Sequence, residues 1–84
     1  SNEVKAFIPK LVKSIQALIN NKKYQDAYNT IEKGLDLVGF DFDLMVLKYN
    51  LLLNFNYTEE AMGCLNNIIL YGDIGRVNNF IYSI

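Results

Sequence analysis

Four carboxamide side chains stand in two pairs of matched spacing. Gln16 precedes Asn20 by four residues, and Asn50 precedes Asn54 by four. On a helix, residues four apart share a face, so each pair would present two amide groups side by side. A carboxamide donates and accepts hydrogen bonds at once, as a peptide bond does. Two such pairs can hold an extended peptide by its backbone, with little demand on its sequence. The plainer alternative is that they are ordinary polar surface. No other residues offer stronger chemistry. Asp41 with Asp43 and Glu59 with Glu60 stand where helices are expected to begin, and capping and the helix dipole account for them. Cys64 is the one cysteine, and there is no histidine. A lone thiol cannot complete a metal set and has no base beside it in sequence. A glycine-rich phosphate loop is absent too. No cofactor and no metal are therefore expected, and the chain is not expected to be an enzyme by itself.

The elements that must position these residues are helices. Ile8, Leu11, Val12, Ile15, Leu18 and Ile19 recur at helical spacing, with Pro9 where a first-turn proline belongs. Residues 1–7 are expected to fray or to add one turn before a kink. A polar break at 20–23 precedes a second stripe of Tyr24, Ala27, Tyr28, Ile31, Leu35 and Val38. Gly39 is placed to end that helix in a left-handed cap. Asp41 can cap a third helix over about 42–54, which is apolar on nearly every side and so is expected to be buried on more than one. Thr58 is the expected N-cap of a fourth, with Tyr57 and Met62 as a hydrophobic staple. Gly72 ends it. Asp73 can cap a short fifth helix in which Val77, Phe80, Ile81 and Ile84 share a face, expected to fold back along Leu65, Ile68 and Ile69.

Sliding the chain 34 residues along itself brings Leu11 onto Met45, Leu18 onto Leu52, Ala27 onto Ala61 and Ile31 onto Leu65. A period of this length built from two helices is the mark of a helical-hairpin repeat. The segment KKYQDAYNTIEKGLDL, residues 22–37, resembles the second helix of a tetratricopeptide repeat: Tyr24, Ala27, Ile31 and Gly34 fit its aromatic, small, large and small positions. YTEEAMGCLNNII, residues 57–69, keeps Ala61 and Leu65 but has Ile68 at the second small position. Ile15 and Tyr49 stand where the family usually has glycine or alanine, and no proline closes either repeat.

The resemblance implies an all-α domain of two antiparallel hairpins, repeat one about 8–39 and repeat two about 41–72, with a C-terminal capping helix about 74–83, together a fragment of an α-solenoid. It also implies a concave face lined by the first helix of each hairpin, where Val12, Gln16, Ile19 and Asn20 match Val46, Asn50, Leu53 and Asn54. The expected peptide-binding residues are thus Gln16, Asn20, Asn50, Asn54, Val12 and Val46. Family members that clamp a carboxylate carry a basic residue where Val12 and Val46 stand, so such a clamp is not expected. The aromatics Tyr24, Tyr28, Phe42, Tyr49, Phe55 and Tyr57 are expected to pack the hairpins rather than to cage a ligand.

Eighty-four residues make one small domain, and 51% apolar content suffices for a core. Net charge is −1, although residues 1–25 hold five lysines against Glu3. That balance gives no field for nucleic acid, and no basic recognition helix is present. No apolar run approaches the roughly 18 residues that span a membrane. With no leader peptide and no cysteine pair, the cytoplasm is the expected compartment. The opening Ser1-Asn2 resembles a cleavage scar, so the chain is expected to belong to a longer protein. The expected function is a scaffold that binds a protein or peptide. The alternatives are an accessory repeat domain of a larger enzyme, such as a bacterial glycosyltransferase, and a self-association module. A weak homodimer through the outer side of the first hairpin is expected, because two repeats leave an end uncovered.

Overall fold

A computed structural model describes residues 2–84. Among them the chain forms six helices and no strand: α1 (Asn2–Ala6), α2 (Ile8–Asn20), α3 (Tyr24–Val38), α4 (Phe42–Asn54), α5 (Thr58–Tyr71) and α6 (Ile74–Ser83). The break between α1 and α2 follows from Pro9, whose missing N–H leaves the carbonyl of Lys5 without its helical donor.

Two turns repeat each other bond for bond. After α2, Lys23 N–H donates to Leu18 O at 2.9 Å and Lys22 N–H to Ile19 O at 2.9 Å. After α4, Tyr57 N–H donates to Leu52 O at 2.9 Å and Asn56 N–H to Leu53 O at 3.0 Å. These are the paired backbone bonds of a Schellman ending. Each needs one residue with positive φ, and Lys22 (60°) and Asn56 (65°) supply it. The next helix then opens identically, with Ala27 N–H on Lys23 O and Ala61 N–H on Tyr57 O. Subtracting 34 from each number of the second turn yields the first.

Helices neighbouring in sequence pack on one another: α2 on α3, α3 on α4, α4 on α5, with lighter contacts of α1 on α2 and α3 and of α6 on α5. α4 thus lies in the middle: Leu44, Met45, Tyr49, Leu51 and Leu52 are buried on one side, and Phe42, Val46, Leu47 and Lys48 are half-buried around much of the rest. Ile15, Ala27, Ile31, Ala61 and Ile68 are fully covered in the same core. Gly34 is small for a packing reason: a Cβ there would come within 2.9 Å of both Leu11 Cδ2 and Leu44 Cδ1. α2 and α4 therefore both close against α3 at this point.

The helix ends depart from expectation in three places. Gly39 has φ 81° and ψ −71°, and Phe40 N–H donates to Val38 O at 3.1 Å. This is a γ-turn about Gly39, not the left-handed cap expected. Thr58 is the first residue of α5 rather than its cap, and Tyr57, in the capping place, makes no side-chain bond. Tyr57 is 56% and Met62 47% exposed, so no staple closes that helix. The two aspartate caps do form: Asp41 accepts from Leu44 N–H at 2.9 Å and Asp73 from Arg76 N–H at 3.2 Å.

Candidate functional site

All six expected binding residues line two neighbouring hollows along α2, α4 and α6. The smaller, about 190 Å³, is walled by Gln16, Asn20, Asn50 and Asn54, with Ile19, Leu47 and Leu51 as its apolar floor. The helical spacing of each carboxamide pair places its members on one side, and the four groups come from two helices to one opening. The larger, about 380 Å³, is lined by Val12, Gln16, Val46 and Leu47 from α2 and α4 and by Arg76, Asn79 and Phe80 from α6. Gln16 and Leu47 belong to both, which makes the two hollows one trough. Val12 and Val46 are half-buried, whereas the four carboxamides are exposed and free to meet a ligand.

Arg76 is the group that reading the sequence missed. It stands off the apolar stripe of α6, yet it reaches back to α4. Its Nη2 lies 2.6 Å from Asp43 Oδ1, and its guanidinium rests on the Phe42 ring with Cζ 4.2 Å from the centroid. Asp43 likewise does more than complement the helix dipole. Part of the signal was present in the spacing, since Phe80, 34 residues after Val46, continues the row that begins with Val12 and Val46. Taking α6 as the next first helix of the series would have placed it beside them. Phe80 anchors that helix, edge-on to Tyr49 at 5.5 Å and to Phe42 at 6.2 Å. α6 contacts α5 and, through Phe80, also meets α4, while Ile69, expected beneath it, stays 50% exposed.

A second polar group lies at the junction of α3, α4 and α5. Lys48 Nζ sits 2.8 Å from Glu32 Oε1 and 5.8 Å from the centre of the Tyr28 ring. Burial works to lower the Lys48 pKa, but contact with Glu32 and its charge outweigh this and raise it. Burial raises the pKa of Cys64, against the pull of Lys48, and burial likewise raises that of Tyr28. A thiol held protonated and an ammonium held charged supply neither nucleophile nor base at neutral pH. This cluster joins α3, α4 and α5. No group of three or more metal-ligating side chains gathers among the described residues. None of the described helices is long and apolar enough to cross a membrane.

Of the aromatics expected to pack inside, Tyr49 is buried and Tyr24, Tyr28 and Phe42 are half-buried, while Phe55 and Tyr57 stay open beside the second turn. Phe55 still meets Tyr24 edge-on at 5.0 Å. The trough can therefore offer amide hydrogen bonds, an apolar floor and a neutralised ion pair, which is equipment for binding. No family model, no curated protein and no solved structure matches the chain.

Proposed function

We propose that the chain is a protein- or peptide-binding scaffold, built as two tetratricopeptide-like helical hairpins and a C-terminal helix, that holds an extended peptide in the trough along α2, α4 and α6. The observation that carries this reading is the convergence of Gln16, Asn20, Asn50 and Asn54 on one opening with an apolar floor. The bond-for-bond repetition of the two turns supports the repeat architecture, and in such repeats the first helix of each pair faces the inner curve. The peptide runs across the helices, and its amides exchange hydrogen bonds with the carboxamides. Its apolar side chains sit on Leu47, Val12 and Val46. Since Arg76 is already paired with Asp43, the trough carries no spare cation, and the ligand is chosen by shape and backbone more than by charge.

A peptide selected from a random display library on this protein provides the test. Its addition should move amide resonances of α2, α4 and α6 and spare the outer faces of α3 and α5. Asn50→Ala with Asn54→Ala should leave the fold intact and weaken binding. Two lost hydrogen bonds at about 0.5–1.5 kcal/mol each correspond to roughly 5- to 150-fold in Kd. Shifts mapping to α3 and α5 instead would refute the trough.

A further inference from the structure

Three places on this molecule set aromatic rings beside a carboxylate. At the first, the Arg76 guanidinium rests on the Phe42 ring and pairs with Asp43. At the second, Lys48 Nζ lies 5.8 Å from the centre of the Tyr28 ring and pairs with Glu32. The third is richer in rings. Tyr24 and Tyr28 of α3, with Phe55 and Tyr57 of the second turn, line a hollow of about 350 Å³ that they share with Glu60 of α5 and Gln25. Leu51 and Leu52 complete its wall. Tyr24 meets Phe55 at 5.0 Å with their planes 69° apart, so the rings make a corner and not a stack. Glu60 is close enough for its charge to act on the Tyr28 phenol. No lysine or arginine lines this hollow, and among the described residues Glu60 has no ion-pair partner. The chain supplies its own cation to the first two places and none to the third.

We propose that this hollow binds an organic cation of the alkylated-ammonium kind, whose charge is spread over methyl groups. The negative faces of the rings attract such a cation, and its methyl groups pack against them. Glu60 adds the opposite charge. Glu59 and Glu60 together outweigh the roughly half a positive charge at the start of α5, and the Lys48 ammonium is met by Glu32. Other ligand classes fit less well. An anion is repelled by Glu60 and by the ring faces. A bare ammonium is compact and strongly hydrated, so it gives up more on leaving water. A neutral group of the same shape touches the rings but gains nothing from the carboxylate. A guanidinium is flat and asks for a parallel ring face and a fork of acceptors, whereas a corner of rings suits a rounded cation. Gln25 commits its Nε2 to Asn29 Oδ1 at 3.0 Å, so its oxygen is the atom left to face positive charge. Tyr24 and Tyr28 are half-buried and hold the hollow in shape, while Phe55 and Tyr57 are 47% and 56% exposed and remain open to a ligand. Leu51 also lines the trough, so the two hollows meet there, but none of the four carboxamides lines the aromatic one.

Amide chemical-shift titration of the whole chain with choline tests this, against neohexanol, the uncharged alcohol of the same shape. Choline should move the amides of 24–28 and 55–60 in a saturable way, with a Kd on the order of 1 mM. Neohexanol should bind at least about fivefold more weakly. Tyr57→Leu should weaken choline binding roughly two- to fivefold through the lost ring face. Glu60→Gln should do so by a similar factor through the lost charge, and Glu59→Gln, outside the hollow, by less. Tyr57 and Glu60 are both exposed, so circular dichroism should show each variant folded. Equal affinity for choline and neohexanol, or no saturable shift of these amides up to about 50 mM choline, would overturn the proposal. Tighter binding of N-acetylarginine amide would overturn it too, and would assign the hollow to a guanidinium. Asn50→Ala with Asn54→Ala should leave choline binding unchanged, so the result stands apart from peptide binding in the trough.

Discussion

The segments α2–α3 and α4–α5 have the same turn, the same hydrogen bonds and the same small residues, Ala27 and Ala61, at full burial. They differ in what they touch. α4 packs on both α3 and α5, whereas α2 packs on α3 and only lightly on α1. Leu44 and Lys10 show what this means. They occupy matched places on matched helices, yet one is 0% exposed and the other lies on the surface. Backbone geometry follows local rules that both segments obey. Side-chain identity follows position in the row.

The largest test of that contrast removes both side chains. Leu44→Ala should cost about 2–5 kcal/mol, as a fully buried leucine loses its contacts and leaves a cavity. Lys10→Ala should stay within about 0.5 kcal/mol. Denaturant melts of the two variants should differ this widely although the positions are matched by the 34-residue shift. Equal losses would mean that the ends of the row are not distinct.

A smaller effect is expected where the segments agree. Ala27 and Ala61 open each second helix at its tightest contact, and both are fully covered. Ala27→Leu and Ala61→Leu should each destabilise by roughly 1–3 kcal/mol through overpacking. If only one of them did so, the equivalence of the two segments would fail in the core while surviving in the backbone.

How far this was legible in the sequence depends on the interaction range. The helices could be read because their stripes, polar breaks and aspartate caps are local. The burial of α4 on several sides could be read from its unbroken apolarity. The 34-residue shift carried enough information to place Gln16, Asn20, Asn50 and Asn54 on equivalent surfaces. The γ-turn at Gly39 could not be read, because a glycine before a cap permits several backbone paths and the loop to Asp41 selects among them. The direction of α6 could be read only in part, from the 34-residue step that carries Val46 onto Phe80. Its apolar stripe serves both neighbours: α6 contacts α5, and Phe80 meets Tyr49 and Phe42 of α4. Arg76 reaches the trough as a consequence of that docking, which no spacing within α6 reveals.

The turns allow a finer comparison. Lys22 and Asn56 hold the same positive φ, but a left-handed residue with a Cβ costs about 1–2 kcal/mol, less for asparagine, whose short polar side chain bonds locally. Glycine removes that strain and gives back part of it, about 0.5–1 kcal/mol, in chain entropy. Lys22→Gly should therefore raise stability by up to about 1 kcal/mol, and Asn56→Gly by less. A larger gain at Asn56 would show that its side chain, not its backbone, is under strain.

The smallest effect concerns the junction that joins the two segments. Lys48, Tyr28 and Cys64 all have pKa values raised above 10.5, 10.0 and 9.0 respectively. In each case the folded chain keeps a proton that the unfolded chain releases. Stability must then fall wherever the unfolded state binds fewer protons. Lys48's contribution is complete below pH 10.5 and disappears as pH climbs through its raised value; the thiol of Cys64 begins to act from pH 9.0. The melting temperature should accordingly decline between about pH 9 and 11. Cys64→Ala should flatten the onset of that decline, and Lys48→Met its upper part. At neutral pH, losing the partly exposed Lys48–Glu32 pair should cost about 1 kcal/mol or less. The α2–α3 segment has Ser14 and Thr30 where the second has Lys48 and Cys64, so removing those two should leave the alkaline slope unchanged. A profile that is flat to pH 11, or that rises, would show that α3, α4 and α5 meet without the charge coupling that this junction requires.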